Sequence, residues 1–350
     1  SYSASRPDRV PEREIYLYII GEASRAMNWQ LMGYGRPTNP RLSQEKEVVL
    51  FRNMLTQSNT THKSVPLFLS SVGTHQHEEL FRRKGLPALF NEAGFDTWFI
   101  SNQSQQGAMI DRLAHDARHL VYIRSPRHDM QLLEEVQKAV RRSSSPRLFF
   151  ILHCYGSHFS YHERYPREFA RFLPDGNVSI APQNARELCN AYDNSVCYTD
   201  HFLAETIAYL RSLSGVSSAV LYCADHGEDL LDDERQRFLH ASPTATAYQL
   251  WVASLAWFSP DYRAAFPGVA ETAAANSDVP ANTHALFHTM AQIAAISSPY
   301  VRDSVSLVSP AFDRRAPRYY LNDHNEAVPY LRAGLRPQDL EVFRKNGIEL

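Results

Sequence analysis

The sequence predicts an α/β fold in which a mostly parallel central sheet carries helices on both faces. Two observations predict it. Short apolar runs rich in β-branched and aromatic residues recur along the chain, and stretches with the period of an amphipathic helix separate them. When strands alternate with helices, each helix returns the chain to the start of a neighbouring strand, so that the strands pair in parallel.

Six segments predict strands and four predict helices. The predicted strands are 15–20, 96–101, 119–124, 147–154, 218–224 and a longer segment at 249–258. The predicted helices are 77–93, 130–142, 186–213 and 284–295. We expect residues 13–350 to form one domain, preceded by a polar linker at 1–12 and ending in a small terminal appendage at 314–350.

Composition narrows the classes of function. The formal net charge of -2 gives no sign of a nucleic-acid-binding protein. No apolar run reaches the roughly 18 to 20 residues that a membrane-spanning helix needs. We expect the cysteines to be free and mostly buried: Cys154, Cys189, Cys197 and Cys223. The 15 histidines point to metal binding or acid–base chemistry.

Carboxylate and imidazole side chains follow two of the predicted strands. Glu22 comes directly after the first strand, and Asp225-His226-Gly227-Glu228 comes after the strand at 218–224. Sites in open α/β sheets form at the carboxyl ends of the strands, where such side chains can share a metal ion. We therefore expect Glu22, Asp225 and His226 to be metal ligands, with Gly227 permitting the turn between them. A solvated acidic loop is the alternative interpretation.

Hydroxyl side chains crowd the start of an apolar helical run, at Ser58-Asn-Thr-Thr-His-Lys-Ser-Val-Pro66. A threonine at a helix N-terminus can cap the helix, or it can attack a phosphate held over free backbone N–H groups. Thr60 and Thr61 both occupy this position, and their local pattern leaves the choice between them open. Ser24, which follows Glu22 by two residues, is better explained as a helix cap.

Several histidines follow the strand predicted at 147–154. His153 and His158 lie around its end, and His240 comes 14 residues after His226, a separation that one loop can close. A single histidine is more often structural, but several beyond one strand end favour a functional site.

Six motifs occur in order between about residue 14 and about residue 260: GEASRAMNWQLMGYGRPTNPRL, the Thr-x-x-Ser-Val-Pro pattern at 61–66, HCYGSH, NAYDNSVCYTDHFL, ADHGED and FLHASP. They resemble the motifs of bacterial phosphoethanolamine transferases. Counting back from Ser64-Val65-Pro66 in this pattern favours Thr61 over Thr60. A chance match of six motifs in the same order is very improbable.

The resemblance implies an alkaline-phosphatase or sulfatase-like fold, in a domain that faces the periplasm and joins an inner-membrane anchor through the linker. It implies one or two zinc ions held by Glu22, Thr61, Asp225 and His226. Thr61 would be the nucleophile that carries phosphoethanolamine from phosphatidylethanolamine to lipid A or a core sugar. His158 and His240 would bind the substrate phosphate or a second zinc.

The chain departs from the best-known branch of that family in two ways. No cysteine lies near Thr61, whereas that branch has a disulfide around the nucleophile helix. Gln106 stands near the position of a lysine in that branch. We nevertheless expect headgroup contacts from Asn102, Gln106 and His153, and we expect a monomer.

Two other functions stay open at this stage. A phosphoglycerol transferase or a phosphodiesterase would use the same threonine and metal. An inert ectodomain that binds lipid or glycan would turn nothing over, although the intact ligand set argues against it. A sulfatase activity is excluded, because the segment around Thr61 lacks the Cys/Ser-x-Pro-x-Arg pattern that formylglycine requires.

Overall fold

The computed structural model describes residues 1–105, 107–125 and 127–350. Its strands are β1 (Glu14–Gly21), β2 (Val49–Leu50), β3 (Met54–Leu55), β4 (Asp96–Ser101), β5 (His119–Tyr122), β6 (Arg147–His153), β7 (Ser217–Ala224), β8 (Asp229–Leu230), β9 (Phe238–Leu239), β10 (Ser254–Phe258), β11 (Ala281–Asn282), β12 (Tyr319–Leu321) and β13 (Ala327–Pro329). Its α-helices are α1 (Thr61–Phe68), α2 (Leu86–Glu92), α3 (Ala108–Ala114), α4 (Met130–Arg142), α5 (Ala185–Arg211), α6 (Ala247–Leu250), α7 (Pro260–Ala265), α8 (Val269–Ala275), α9 (Ala285–Ile293) and α10 (Pro337–Lys345).

In the described part of the chain, seven strands form the main sheet in the order β2-β10-β7-β1-β6-β4-β5. Within it, β7, β1, β6, β4 and β5 pair in parallel, and β10 runs antiparallel to both of its neighbours. The predicted mostly parallel sheet is therefore confirmed. The central strand β1 is buried along its whole length, which is why it reads as a continuous apolar run.

Helices cover both faces of the sheet, as predicted. Alternate residues of β1 point to opposite faces. Tyr16, Tyr18 and Ile20 pack into a core that includes residues of α1, α2 and α9. Their neighbours Ile15, Leu17 and Ile19 pack into a second core with α4 and α5.

Two segments that were each predicted as a single element are divided in the structure. The segment 77–93 is not one helix: a 3-10 segment at Thr74–Phe81 ends before the extended residue Gly85, and α2 begins at Leu86. Pro87 in the first turn of α2 suits a helix start but cannot continue a helix. The segment 249–258 is not one strand, because its first two residues end α6 and only its second half forms β10. An apolar run alone does not distinguish a short helix from a strand.

The two ends of the chain pack against the body of the protein. Tyr2 is buried beside Phe287 and Tyr300, and Tyr320, Tyr330 and other residues of the last segment belong to the second core. Whether 1–12 is a linker and 314–350 an appendage stays a prediction. Among the described residues, no helix has both the length and the apolar character to cross a membrane.

Candidate metal centre

The predicted ligands leave the sheet side by side. Gly21 at the end of β1 pairs with Ala224 at the end of β7, and the ladder continues as the Asp225 N–H donates to the Gly21 carbonyl at 2.9 Å. Glu22 and Asp225 are the next residues on the two strands. The carboxyl edge of the sheet thus brings together residues about 200 positions apart in sequence.

Helix α1 carries the third part of the site. Thr61 is its first residue, and the Thr61 hydroxyl lies 2.8 Å from Oδ2 of Asp225, 3.0 Å from both carboxylate oxygens of Glu22, and 3.2 Å from Nε2 of His226. The Ser64 hydroxyl, one helical turn later, donates to the Asp225 carbonyl at 2.7 Å. That bond holds the start of the helix against the turn that carries the ligands.

The structure distinguishes the two threonines. Thr60 has an extended backbone and its hydroxyl accepts the backbone N–H of Lys63 at 3.3 Å, as a helix cap does. Thr61 instead directs its hydroxyl into the cluster of Glu22, Asp225 and His226.

The two carboxylates of this cluster lack an ordinary counter-charge. Glu22 and Asp225 are fully buried, and within the described residues no arginine or lysine pairs with either of them; the nearest nitrogen is Nε2 of His226, 3.6 Å from Glu22 and 3.5 Å from Asp225. Burial and the nearby charge of Asp225 raise the pKa of Glu22 well above its usual range. Burial also acts on Asp225, but His226 and the surrounding hydrogen bonds outweigh it and lower the pKa of Asp225. Two buried carboxylates in contact favour a bound cation.

His226 has the protonation state that a metal ligand needs. Burial lowers its pKa to about 4, so that the ring is neutral near pH 7. Its Nδ1–H donates to the Gly227 carbonyl at 2.7 Å, which leaves the lone pair on Nε2 facing the cluster. The side-chain atoms of Glu22, Thr61, Asp225 and His226 that meet here lie 2.8 to 3.6 Å apart. A tetrahedral zinc ion with bonds of about 2.0 to 2.1 Å needs ligand atoms roughly 3.3 Å apart, so the donor set fits zinc.

Sequence reasoning missed Glu228 and Tyr161 as parts of this site. Glu228 is fully buried, and its Oε1 lies 2.6 Å from Nδ1 of His240 while its Oε2 accepts the Tyr161 hydroxyl at 2.6 Å. The ring of His240 stacks on that of His226 with centroids 4.0 Å apart. Burial alone would lower the pKa of His240, but the hydrogen bond and charge of Glu228 raise it. Glu228 belongs to the ADHGED motif and could have been suspected, whereas no sequence pattern pointed to Tyr161.

The histidine loop after β6 lies against Glu22. The Ser157 N–H donates to the Glu22 carbonyl at 3.0 Å, and a Cβ on Gly156 would stand 2.7 Å from the same oxygen, so glycine is required there. His158 is half-buried beside this contact, and its Nδ1 lies 2.6 Å from the Phe159 carbonyl.

Three residues were expected to contact a headgroup. Two of them are buried, and the third lies outside the described residues. His153 is fully buried, with Nε2 3.2 Å from the Gln103 side chain, and burial lowers its pKa to about 4. Asn102 is also buried, and its amide donates to Asp129 at 2.8 Å. Gln106 lies outside the described residues.

Two local expectations need correction. Ser24 is not a helix cap, because its hydroxyl accepts the indole N–H of Trp29 at 2.8 Å and the neighbouring 3-10 segment has no side-chain cap. Glycine is needed at position 227 because a side chain would collide with a neighbouring backbone, and not because the backbone there is left-handed. The φ of Gly227 is not positive, and a Cβ on it would lie 2.0 Å from the Tyr248 carbonyl oxygen.

All four cysteines are free, as predicted, and three of them are buried.

Comparisons with known proteins agree with this architecture. The profile of the Sulfatase family matches residues 14–296. The Kdo(2)-lipid A phosphoethanolamine 7''-transferase of Escherichia coli K12 is 30% identical over 276 residues, covering 75% of this chain and 47% of that protein. The phosphoethanolamine transferase EptA of the same strain is 31% identical over 263 residues, covering 72% and 47%. The chain therefore spans about half the length of these relatives.

A solved structure shares the fold over nearly the whole chain. It is the C-terminal periplasmic domain of EcEptC from Escherichia coli in complex with Zn, with a TM-score of 0.84, 22% identity and coverage of 97% of both chains. The family profile spans most of the chain, so this protein belongs to the sulfatase family, within the alkaline-phosphatase-like α/β fold.

Proposed function

We propose that this chain is the catalytic part of an enzyme that transfers phosphoethanolamine from phosphatidylethanolamine to lipid A or a lipopolysaccharide-core sugar. The observation that carries the proposal is the Thr61 hydroxyl, held at the start of α1 between Glu22, Asp225 and His226. The relatives named above support the transferred group and the acceptor class. The solved structure that shares the fold is described as a periplasmic domain, and we propose that this chain works on the periplasmic side of the inner membrane.

Thr61 is the nucleophile in this proposal. Its oxygen forms a bond to the phosphorus of the donor diester while the bond from phosphorus to the glycerol oxygen breaks. The hydroxyl proton passes to a neighbouring carboxylate, and Asp225 is the nearest at 2.8 Å. The product is a phosphoethanolamine ester of Thr61 and a free diacylglycerol.

His240 supplies the proton that the departing diacylglycerol oxygen needs. The bond between its Nδ1 and Glu228 leaves Nε2 as the free position of the ring, and the charge of Glu228 favours the protonated form. In this proposal His158 contributes to phosphate binding as an imidazolium, because its Nδ1–H already donates to the Phe159 carbonyl and only a protonated Nε2 can donate to a phosphoryl oxygen.

The second half of the reaction reverses these roles. An oxygen of the acceptor phosphate or sugar attacks the same phosphorus, and the bond from phosphorus to the Thr61 oxygen breaks. The imidazole of His240 takes up the acceptor proton when a hydroxyl attacks, and the carboxylate returns its proton to Thr61. Two displacements through an ester of Thr61 give ping-pong kinetics.

Zinc is the cofactor that the donor set fits best, and Glu22, Thr61, Asp225 and His226 would hold it. When bound, the ion would neutralise the buried carboxylates and stabilise negative charge on oxygen in the transition state. A second group, His226, Glu228 and His240, also has ligand atoms close together. Because Glu228 already binds His240 and Tyr161, and His226 belongs to the proposed zinc ligands, we assign His240 and Glu228 to substrate binding and propose one ion.

The direct test is to trap the ester. The zinc-loaded protein is mixed with phosphatidylethanolamine without acceptor, and mass spectrometry of its peptides locates the added group. We expect phosphoethanolamine on the peptide that contains Thr61 and none in Thr61→Ala. Transfer from phosphatidylglycerol alone would replace the proposal with a phosphoglycerol transferase, and zinc binding without transfer from either lipid would favour the non-catalytic alternative.

A further inference from the structure

A cavity lies apart from the candidate metal centre. It has a volume of about 300 Å³ and lies between the turn at 73–76, the start of α9 and the segment 302–319. Neither Thr61 nor any of its three partners lines it. Its size is at the lower end of the range for small-molecule sites, about 300 to 1,000 Å³. Apolar side chains such as Val305 and Phe312 share its wall with polar ones.

Arg318 on the cavity wall is a largely buried cation without a carboxylate partner. Its Nη1 donates to the Ala281 carbonyl at 2.9 Å and to the carbonyl and side-chain oxygens of Asn53 at 3.1 and 2.8 Å. Its Nη2 donates to the Glu349 carbonyl. All of these acceptors are neutral, and no ion pair of Arg318 exists within the described residues. The ring of Tyr330 lies 6.0 Å from its guanidinium carbon, but no carboxylate in the described part of the chain offsets the charge, and burial lowers its pKa.

A second guanidinium and an unsatisfied imidazole line the same cavity. Arg302 is exposed and makes no ion pair in the described part of the chain. Burial and the charge of nearby Arg302 together lower the pKa of His284 to about 4. The buried Nδ1 of His284 has no hydrogen-bond partner among the described groups. Asp313 is the acidic residue at the rim, and it is exposed and accepts the Arg315 N–H at 3.0 Å.

We infer that this cavity is a binding site for a small organic anion that carries a phosphate or carboxylate group. Arg302 and Arg318 would bind the anionic group from two sides, and His284 would add a neutral hydrogen bond. Val305, Phe312 and the ring of Tyr319 would contact the apolar remainder of the ligand. The inference is independent of the transferase proposal, because the two sites share no residue.

The test measures binding of two probes to the full zinc-loaded chain by calorimetry: sn-glycerol 3-phosphate for a phosphate ligand and benzoate for a carboxylate ligand. Losing one charge-assisted contact of about 1.5 to 3 kcal/mol weakens binding at least about tenfold. We expect that loss in Arg302→Gln for whichever probe binds. The matched control is Arg315→Gln, an exposed arginine of the same segment outside the cavity, which should bind like the wild type.

Arg302→Gln is the informative variant because Arg302 is exposed and its loss should not disturb folding. Arg318→Gln removes bonds to three carbonyl groups, so its melting temperature is measured before its binding is interpreted. Binding of neither probe at millimolar concentration would overturn the inference, and so would equal affinities of wild type and Arg302→Gln. Either result would leave the ester-trapping experiment on Thr61 unaffected.

Discussion

At the scale of single residues, two adjacent threonines have separate tasks. The Thr60 hydroxyl accepts a backbone N–H of α1, whereas the Thr61 hydroxyl meets two carboxylates and an imidazole. We predict that Thr61→Ala lowers turnover of phosphatidylethanolamine by at least about a thousandfold, because no other group can carry the ester. Thr60→Ala should stay active and lose about 1 kcal/mol of stability with its cap.

Both variants are assayed for turnover and for their free energy of unfolding in urea. A folded Thr61→Ala with wild-type turnover would contradict the assignment of the nucleophile. An inactive but folded Thr60→Ala would instead move that role to Thr60.

The carboxylates of the cluster give a second prediction, about metal content. We expect Glu22→Gln to lower zinc bound per chain, measured by mass spectrometry after dialysis, because an amide is a weaker ligand than a carboxylate. Asp200→Asn is the matched control. Asp200 is equally buried, but it accepts the backbone N–H groups of Arg41 and Leu42, remote in sequence from the ligands. An unchanged zinc content in Glu22→Gln would exclude Glu22 as a ligand.

The residues that sequence predicted and those it missed differ in a physical way. Glu22 and Asp225 follow apolar strands directly, and in a parallel sheet that position alone brings them to one edge. Tyr161 reaches Glu228 across 67 positions of sequence, through a loop without a regular pattern. Such a contact depends on the path of the loop, which no local signal specifies.

At the scale of elements, the turn after β7 depends on close backbone packing. The Gly227 N–H donates to the Gln249 carbonyl at 2.7 Å, and the Tyr248 carbonyl lies where a Cβ on Gly227 would stand. We predict that Gly227→Ala costs more than about 2 kcal/mol, because a backbone contact cannot move aside as a flexible side chain can. The displaced turn should also reduce zinc content.

The control for this variant is Gly35→Ala. Gly35 has no atom within 4 Å of an added Cβ and its φ is not positive, so its replacement should change stability by less than about 0.5 kcal/mol. Melting temperatures of both variants with zinc make the comparison. Equal melting temperatures would show that the turn can open without cost.

Some helices and strands could be predicted from the sequence closely, and others could not. Strands β1, β4, β6 and β7 and helices α4 and α5 were predicted to within a residue or two, because each has a long uniform pattern. The error at 77–93 falls where Pro87 interrupts the helical pattern, and the error at 249–258 follows from a capping threonine just before that segment, which starts a short helix. Thr246 caps α6 by accepting the Gln249 N–H at 3.2 Å, and this local bond competes with the extended chain.

At the scale of the whole molecule, the site is a product of sheet topology. Strands β1, β6 and β7 lie side by side in the sheet although they are far apart in sequence, and their carboxyl ends supply Glu22, the histidine loop and Asp225-His226. Helix α1 closes the site from one core face. A metal ion bound here would join segments from three parts of the fold, so its removal should affect global stability.

We predict that a chelator lowers the melting temperature of the zinc-loaded protein by several degrees. Binding to the folded state alone stabilises it by about 2.7 kcal/mol when free metal is a hundredfold above Kd. Glu22→Gln should weaken this dependence of the melting temperature on the chelator. Without metal, the raised pKa of Glu22 favours its protonated form, so a glutamine of the same shape should cost little stability. With zinc, the variant should melt below the wild type. Identical wild-type melting temperatures with and without chelator would mean that the buried carboxylates do not hold a structural cation.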